Sequence, residues 1–234
     1  MSQPTRIRHH PRARGIKLRV LRDESVEVVA PPGTAPGAVA RALARAEGWI
    51  ARQRAAVRAA RLPPDERGPF PRRLRMAAIG QDVAVRYADA DVSRPAWRWG
   101  GAGLDVDLPG RAPEVARTVL VDALRERCRA DLEPRLQRLA QRHRLEPAAV
   151  TWRNQNSRWG SCSARGRLSL NVRLLFLASE LADYVLAHEL AHLAHPDHSP
   201  AFWRRVDEMV SGLPGLRVRM RSAADRVPDW LLRP

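Results

Sequence analysis

Apolar and polar positions alternate from Ile16 onward, with Leu18 and Val20 answered by Val26 and Val28 across the polar turn Asp23-Glu24-Ser25. A period of two predicts a β-hairpin, ended by Pro31-Pro32-Gly33. Over 36–60 the period lengthens: Val39, Leu43, Ala46, Trp49, Ile50 and Val57 fall near helical spacing and predict one amphipathic helix. The prolines between Leu62 and Pro71 make a connector. Short strand-like runs follow at 73–79, 82–88, 96–99 and 103–108, separated by Gly80, Pro95 and Gly100-Gly101. Read as antiparallel strands, they make 16–110 a small α+β region.

Pro113 opens a long predicted helix over 112–143, whose stripe runs Val115, Val119, Leu120, Leu124, Cys128, Leu132, Leu136 and Leu139. Pro134 inside it predicts a kink or a break, because proline has no N–H for the ladder. Strands are expected at 150–153 and 167–172, with an irregular loop over 154–167 between them. Ser179 is the expected N-cap of a further helix, with Glu180 in its first turn. Pro196 ends that helix near His195, and Ser199-Pro200 caps and starts another, striped by Phe202, Trp203, Val206, Met209 and Val210. The organisation expected is a basic flexible tail over 1–15, then regions 16–110 and 111–234 forming one compact unit.

Charge adds a second layer. The 234 residues carry 41 Arg and Lys against 25 Asp and Glu, a net +16 that attracts polyanions and makes DNA or RNA a candidate partner. Met1–Arg14 lacks the apolar segment of a signal peptide, and no run of 18 apolar residues exists, so the expectation is a cytoplasmic protein without a membrane partner. Cys128 and Cys162 form no CxxC pair; Cys128 lies on a core stripe. Against this basic background, no Arg or Lys occurs between Arg173 and Arg204. That gap marks a buried region where a cation would meet few competing positive charges.

Inside the gap lies His188-Glu189-Leu190-Ala191-His192, an HExxH pattern expected by chance roughly 0.01 times in a chain of this composition. On a helix, His188 and His192 lie one turn apart on one face, so both imidazoles can reach one cation. Glu189 beside them can take a proton from water activated by that ion. A third ligand must come from another direction. His195, seven residues on, would fall in line along the same helix, whereas His198 sits in the turn between two helices and can double back. His198 is therefore preferred, with His195 as the alternative and Glu208 as the carboxylate candidate. Tyr184, one turn before His188, is a candidate oxyanion donor, with core packing as its other reading.

Trp159-Gly160-Ser161-Cys162-Ser163, the strand Leu168-Ser169-Leu170-Asn171, the HExxH segment and His198-Ser199-Pro200-Ala201-Phe202-Trp203 together resemble the YgjP-like family of zincin-type metallopeptidases. The HExxH followed by a third histidine is also similar to SprT-like proteases. The resemblance implies a zincin-like core, a small mixed sheet with the motif helix, preceded by the N-terminal strand-and-helix region. It implies one zinc ion on His188, His192 and His198, with Glu189 as general acid/base in peptide-bond hydrolysis. In zincins an edge strand beside the motif helix holds an extended peptide by β-augmentation, which makes Leu168 and Leu170 candidate substrate contacts. Two alternatives stand beside the peptidase: a nucleic-acid-associated protein acting at DNA, and a metal-dependent nucleotide phosphoanhydride hydrolase. The last would need Arg153, Arg158 or Arg165 to fold over the site from the 154–167 loop.

Overall fold

A computed structural model describes residues 5–59, 63–89, 91–101, 103–220 and 222–232, so part of the expected tail, residues 1–4, lies outside it. The chain is α+β and divides into two compact units, 1–61 and 62–234.

In the first unit, β1 (Thr5–His9), β2 (Lys17–Val20) and β3 (Val26–Ala30) form a sheet in the order β1-β3-β2. The predicted hairpin is present: β2 runs antiparallel to β3, pairing Leu18 with Val28 and Val20 with Val26. Residues 5–9, expected within a flexible tail, instead form β1, an exposed edge strand parallel to β3. Backbone pairing, rather than burial, orders this polar segment. The helical stretch is split into α1 (Pro36–Arg45) and α2 (Glu47–Ala59), just before Gly48, a weak helix former. Val26, Val28, Val39 and Ile50 make a small separate core.

The second unit starts with β4 (Arg73–Met76), β5 (Gln81–Asp89), β6 (Ala96–Gly100) and β7 (Gly103–Leu108), in the order β4-β5-β7-β6. The expected all-antiparallel arrangement is corrected here: β5 and β7 are parallel, and the outer pairs antiparallel. This sheet shares one core with the elements downstream, and the boundary between the two compact units falls at 61/62. α3 (Pro113–Arg127) passes through a π-helical turn, Cys128–Leu132, into α4 (Glu133–Arg142). Leu120, Leu124, Cys128, Leu132 and Leu136 are all fully buried. A strict four-residue spacing drifts by about 40° per step around an α-helix, and the wider π turn takes up that drift. At its end, next to Pro134 with no N–H of its own, the Glu133 N–H reaches back five residues to the Cys128 carbonyl.

β8 (Ala149–Arg153), β9 (Gly160–Cys162) and β10 (Arg167–Asn171) make a mixed sheet in the order β8-β10-β9. α5 (Ser179–Ala191) carries the HExxH segment, and α6 (Pro200–Met209), α7 (Leu213–Arg219) and α8 (Asp229–Leu232) follow. α5 buries Leu181, Ala182, Tyr184, Val185, Leu186, Ala187, Glu189, Leu190 and Ala191, as a helix apolar on nearly every side must. This agrees with the arginine-free gap. The N-cap is Ala178, not Ser179; the Ser179 hydroxyl instead accepts from Arg135 Nη2 at 2.8 Å.

Candidate metal centre

α5 presents His188 and Glu189, and His192 forms its C-cap. The helix stops there, three residues short of His195, with the chain turning through Leu193 and Ala194. Ser199 then caps α6 as its sequence predicts, its hydroxyl accepting from the Phe202 N–H at 3.4 Å. The turn between the helices brings His198 back over the motif face. Ring centroids lie 4.9 Å apart for His188–His192, 5.1 Å for His188–His198 and 4.8 Å for His192–His198. Phe202, fully buried, packs against all three rings at 4.9, 4.5 and 4.8 Å, fixing the cluster from beneath.

These three residues are the group of His, Cys, Asp or Glu side chains positioned to hold a metal ion among the described residues, with one ligand atom from each within 4.8 Å of the others. Their chemistry fits a metal. His198 Nε2 and His188 Nε2 face each other at 3.2 Å, close to the roughly 3.4 Å between two nitrogens on one tetrahedral zinc. His192 Nδ1 lies 3.1 Å from the His195 carbonyl, which can only accept, so Nδ1 carries the proton and Nε2 keeps its lone pair. Burial, then the neighbouring His192, His198 and Arg217, pull the His188 pKa down to about 4, and burial lowers that of His192. Both are held in the neutral form that binds metals.

His195 therefore supports the cluster through its backbone oxygen; its ring is not in the group. Glu208 is also outside it, paired with Arg205 at 2.8 Å. Glu189 is buried, which raises its pKa to about 7, while the charge of Arg158 pulls the other way. The β9 backbone lies flat against it: a Cβ on Gly160 would sit 2.6 Å from Glu189 Cγ and 2.7 Å from Oε1. Only a residue without a side chain leaves that carboxylate where it is. Tyr184 stands beside the cluster, its ring 6.0 Å from that of His188, buried and with its pKa raised by burial.

The expectation that Leu168 and Leu170 lie on an exposed edge strand is corrected here. They point into the core, and β10 is the central strand, paired on one side with β8 and on the other with β9. The sheet edge next to α5 is β9.

Two contributors, Gly160 and Arg217, escaped the sequence reading, and a third, Arg158, entered it only as a candidate phosphate clamp. Gly160 was noted only within a motif. Arg158 reaches Glu189 electrostatically, and Arg217 from α7 stacks on Trp203 with its Cζ 4.1 Å from the ring centroid. Nothing in the local pattern around 217 announces this. The loop before β9 is held by Asn171, which donates to the Gln155 and Arg158 carbonyls at 2.8 Å each. Buried Arg173 donates to Asn154 Oδ1, Asn156 Oδ1 and the Leu231 carbonyl at 2.8, 2.7 and 2.8 Å.

Compared with known proteins, residues 14–223 match the model of the YgjP-like metallopeptidase domain. No curated protein matches the chain. Among solved structures it is similar to the crystal structure of the metallopeptidase zymogen of Pyrococcus abyssi abylysin, at 26% identity and a TM-score of 0.37, covering 41% of this chain and 97% of that one.

Proposed function

The chain belongs to the YgjP-like metallopeptidase family, and we propose that it hydrolyses peptide bonds with one zinc ion on His188, His192 and His198 and with Glu189 as general base and acid. The observation that carries this reading is the three-imidazole cluster, with ligand atoms within 4.8 Å, next to a buried carboxylate whose pKa is about 7. Three neutral nitrogen donors suit zinc better than the oxygen-seeking magnesium or calcium. When bound, zinc supplies Lewis acidity that polarises a carbonyl and lets water ionise near neutral pH.

The chain's own residues do the rest. Glu189 takes the proton from water as its oxygen bonds to the scissile carbon, then returns it to the amine as the carbon–nitrogen bond breaks. The His195 carbonyl holds the His192 ring in the tautomer that leaves Nε2 free. β9 replaces β10 as the rail for an extended substrate, because it is the outer strand and lies against Glu189. Glu189→Gln is expected to lower kcat on a fluorogenic peptide library by at least about 10²-fold while metal content stays at the wild-type level. Full activity in that variant contradicts the role given to Glu189.

A second reading, hydrolysis of a nucleotide phosphoanhydride at the same site, is favoured by one observation. The Arg158 charge is felt at Glu189, and among the described residues its guanidinium has no ion pair. A phosphate would meet a free cation there. Parallel assays of nucleoside triphosphates and peptides, each with the wild type and Glu189→Gln, separate the two.

A further inference from the structure

We propose that Arg217 is an anion-recognition site beside the three-histidine cluster, taking a carboxylate of the peptide substrate from an acidic side chain or from the chain terminus. This rests on the peptidase reading and adds to it a substrate class.

α7 leaves the αL turn at Gly212 and is anchored by buried Leu216, and the adjacent Arg217 side chain lies over the Trp203 ring at 4.1 Å. Trp203 in turn is 5.8 Å from the His188 ring and 5.7 Å from the His198 ring. Guanidinium and imidazoles thus share one indole as a neighbour, which places Arg217 beside the proposed ligands. Stacking occupies the face of a guanidinium and leaves its in-plane N–H groups available, the fork that matches a carboxylate.

The second strand is neutralisation. Arg219 on the same helix is paired with Glu180 at 2.6 Å, and Arg205 on α6 with Glu208 at 2.8 Å. Arg217 makes no hydrogen bond and no ion pair among the described residues. A lone cation opposes a dication at the histidines, and a bound carboxylate offsets that repulsion. A neutral peptide would not.

Recognition is tested apart from turnover. Metal-loaded Glu189→Gln protein, with Arg217 intact or changed to Gln or Lys, is titrated with fluorescein-labelled heptapeptides and followed by anisotropy. The peptides differ by Glu against Gln at one position scanned along the chain, and by a free or amidated C-terminus. The expected result is one position, or the terminus, at which the acidic form binds about 10-fold tighter, as one charge-assisted contact provides. That ratio falls to about 1 in Arg217→Gln and is partly kept in Arg217→Lys. A position effect identifies a side chain as the source, a terminus effect the free carboxylate. No acidic preference anywhere, or the same preference with Arg217→Gln, overturns the proposal. The wild type is assayed for cleavage of the same peptides; if none is cut, the peptidase reading falls while the binding ratios still decide the role of Arg217.

Discussion

With its carboxylate buried and, among the described residues, no cation hydrogen-bonded to it, Glu189 in metal-free protein keeps its proton up to about pH 7, well above the ordinary 4.5. The folded state therefore binds that proton more tightly than the unfolded chain. The associated stability is fully present below pH 4.5 and is lost as pH rises through 7. In metal-free protein, Glu189→Gln removes this term. Denaturant unfolding is expected to show the variant gaining on the wild type between pH 4.5 and 8 by up to roughly 3 kcal/mol. A stability difference independent of pH contradicts the assignment. His188, Glu189, His192 and His198 were legible in the sequence because helical period and a proline stop are local signals. Gly160 and Arg217 were not, and Arg158 was legible only as a candidate for a phosphate, not as a neighbour of Glu189. Each matters through a contact with a residue far away in sequence, and no periodicity encodes such a contact.

The helices that carry the ligands follow from caps and prolines that can be read directly, and Ser199-Pro200 starts α6 as expected. Where an element's place depends on its neighbours, the reading went astray. The apolar run Leu168–Asn171 fits an edge or a central strand equally well, and only pairing with both β8 and β9 decides for the centre. Arg173 closes the basic half of the chain in sequence, yet it is buried and anchors the loop that leads into β9. Replacing it with Met takes the donor from Asn154 Oδ1 and Asn156 Oδ1 and leaves the Leu231 carbonyl with the Asn154 Nδ2 donor at 3.1 Å. A loss of roughly 2–5 kcal/mol is expected in denaturant unfolding, with increased amide exchange over 154–162. Unchanged exchange in that loop would show that Arg173 does not hold it.

Across the molecule, charge and chemistry separate along the sequence. Residues 1–61 carry 13 Arg and Lys against 4 Asp and Glu, more than half of the net +16 in about a quarter of the chain. Register puts Arg6, Arg8, Lys17 and Arg19 on one face of the β1-β3-β2 sheet, all exposed, with Glu27 between Arg6 and Arg19. No aromatic side chain accompanies them on those strands, so attraction to a phosphate backbone would be insensitive to base sequence. The expected outcome is weak duplex binding whose log affinity falls with log salt at a slope near −3, flattened by Arg8→Glu with Lys17→Glu. Binding that is flat in salt excludes this face as a nucleic-acid surface. No described helix is long and apolar enough to cross a membrane. Strand pairing and the boundary at 61/62 were not readable beforehand, because both depend on which segments meet in the folded chain. The three-histidine centre underlies the proposed activity. Its most direct test is zinc per chain, measured by mass spectrometry on protein purified without added metal, for the wild type, His195→Ala and His198→Ala. The prediction is about one zinc in the wild type and in His195→Ala, which keeps the supporting carbonyl, and little in His198→Ala. A metal-free wild type, or zinc kept by His198→Ala and lost by His195→Ala, would contradict it.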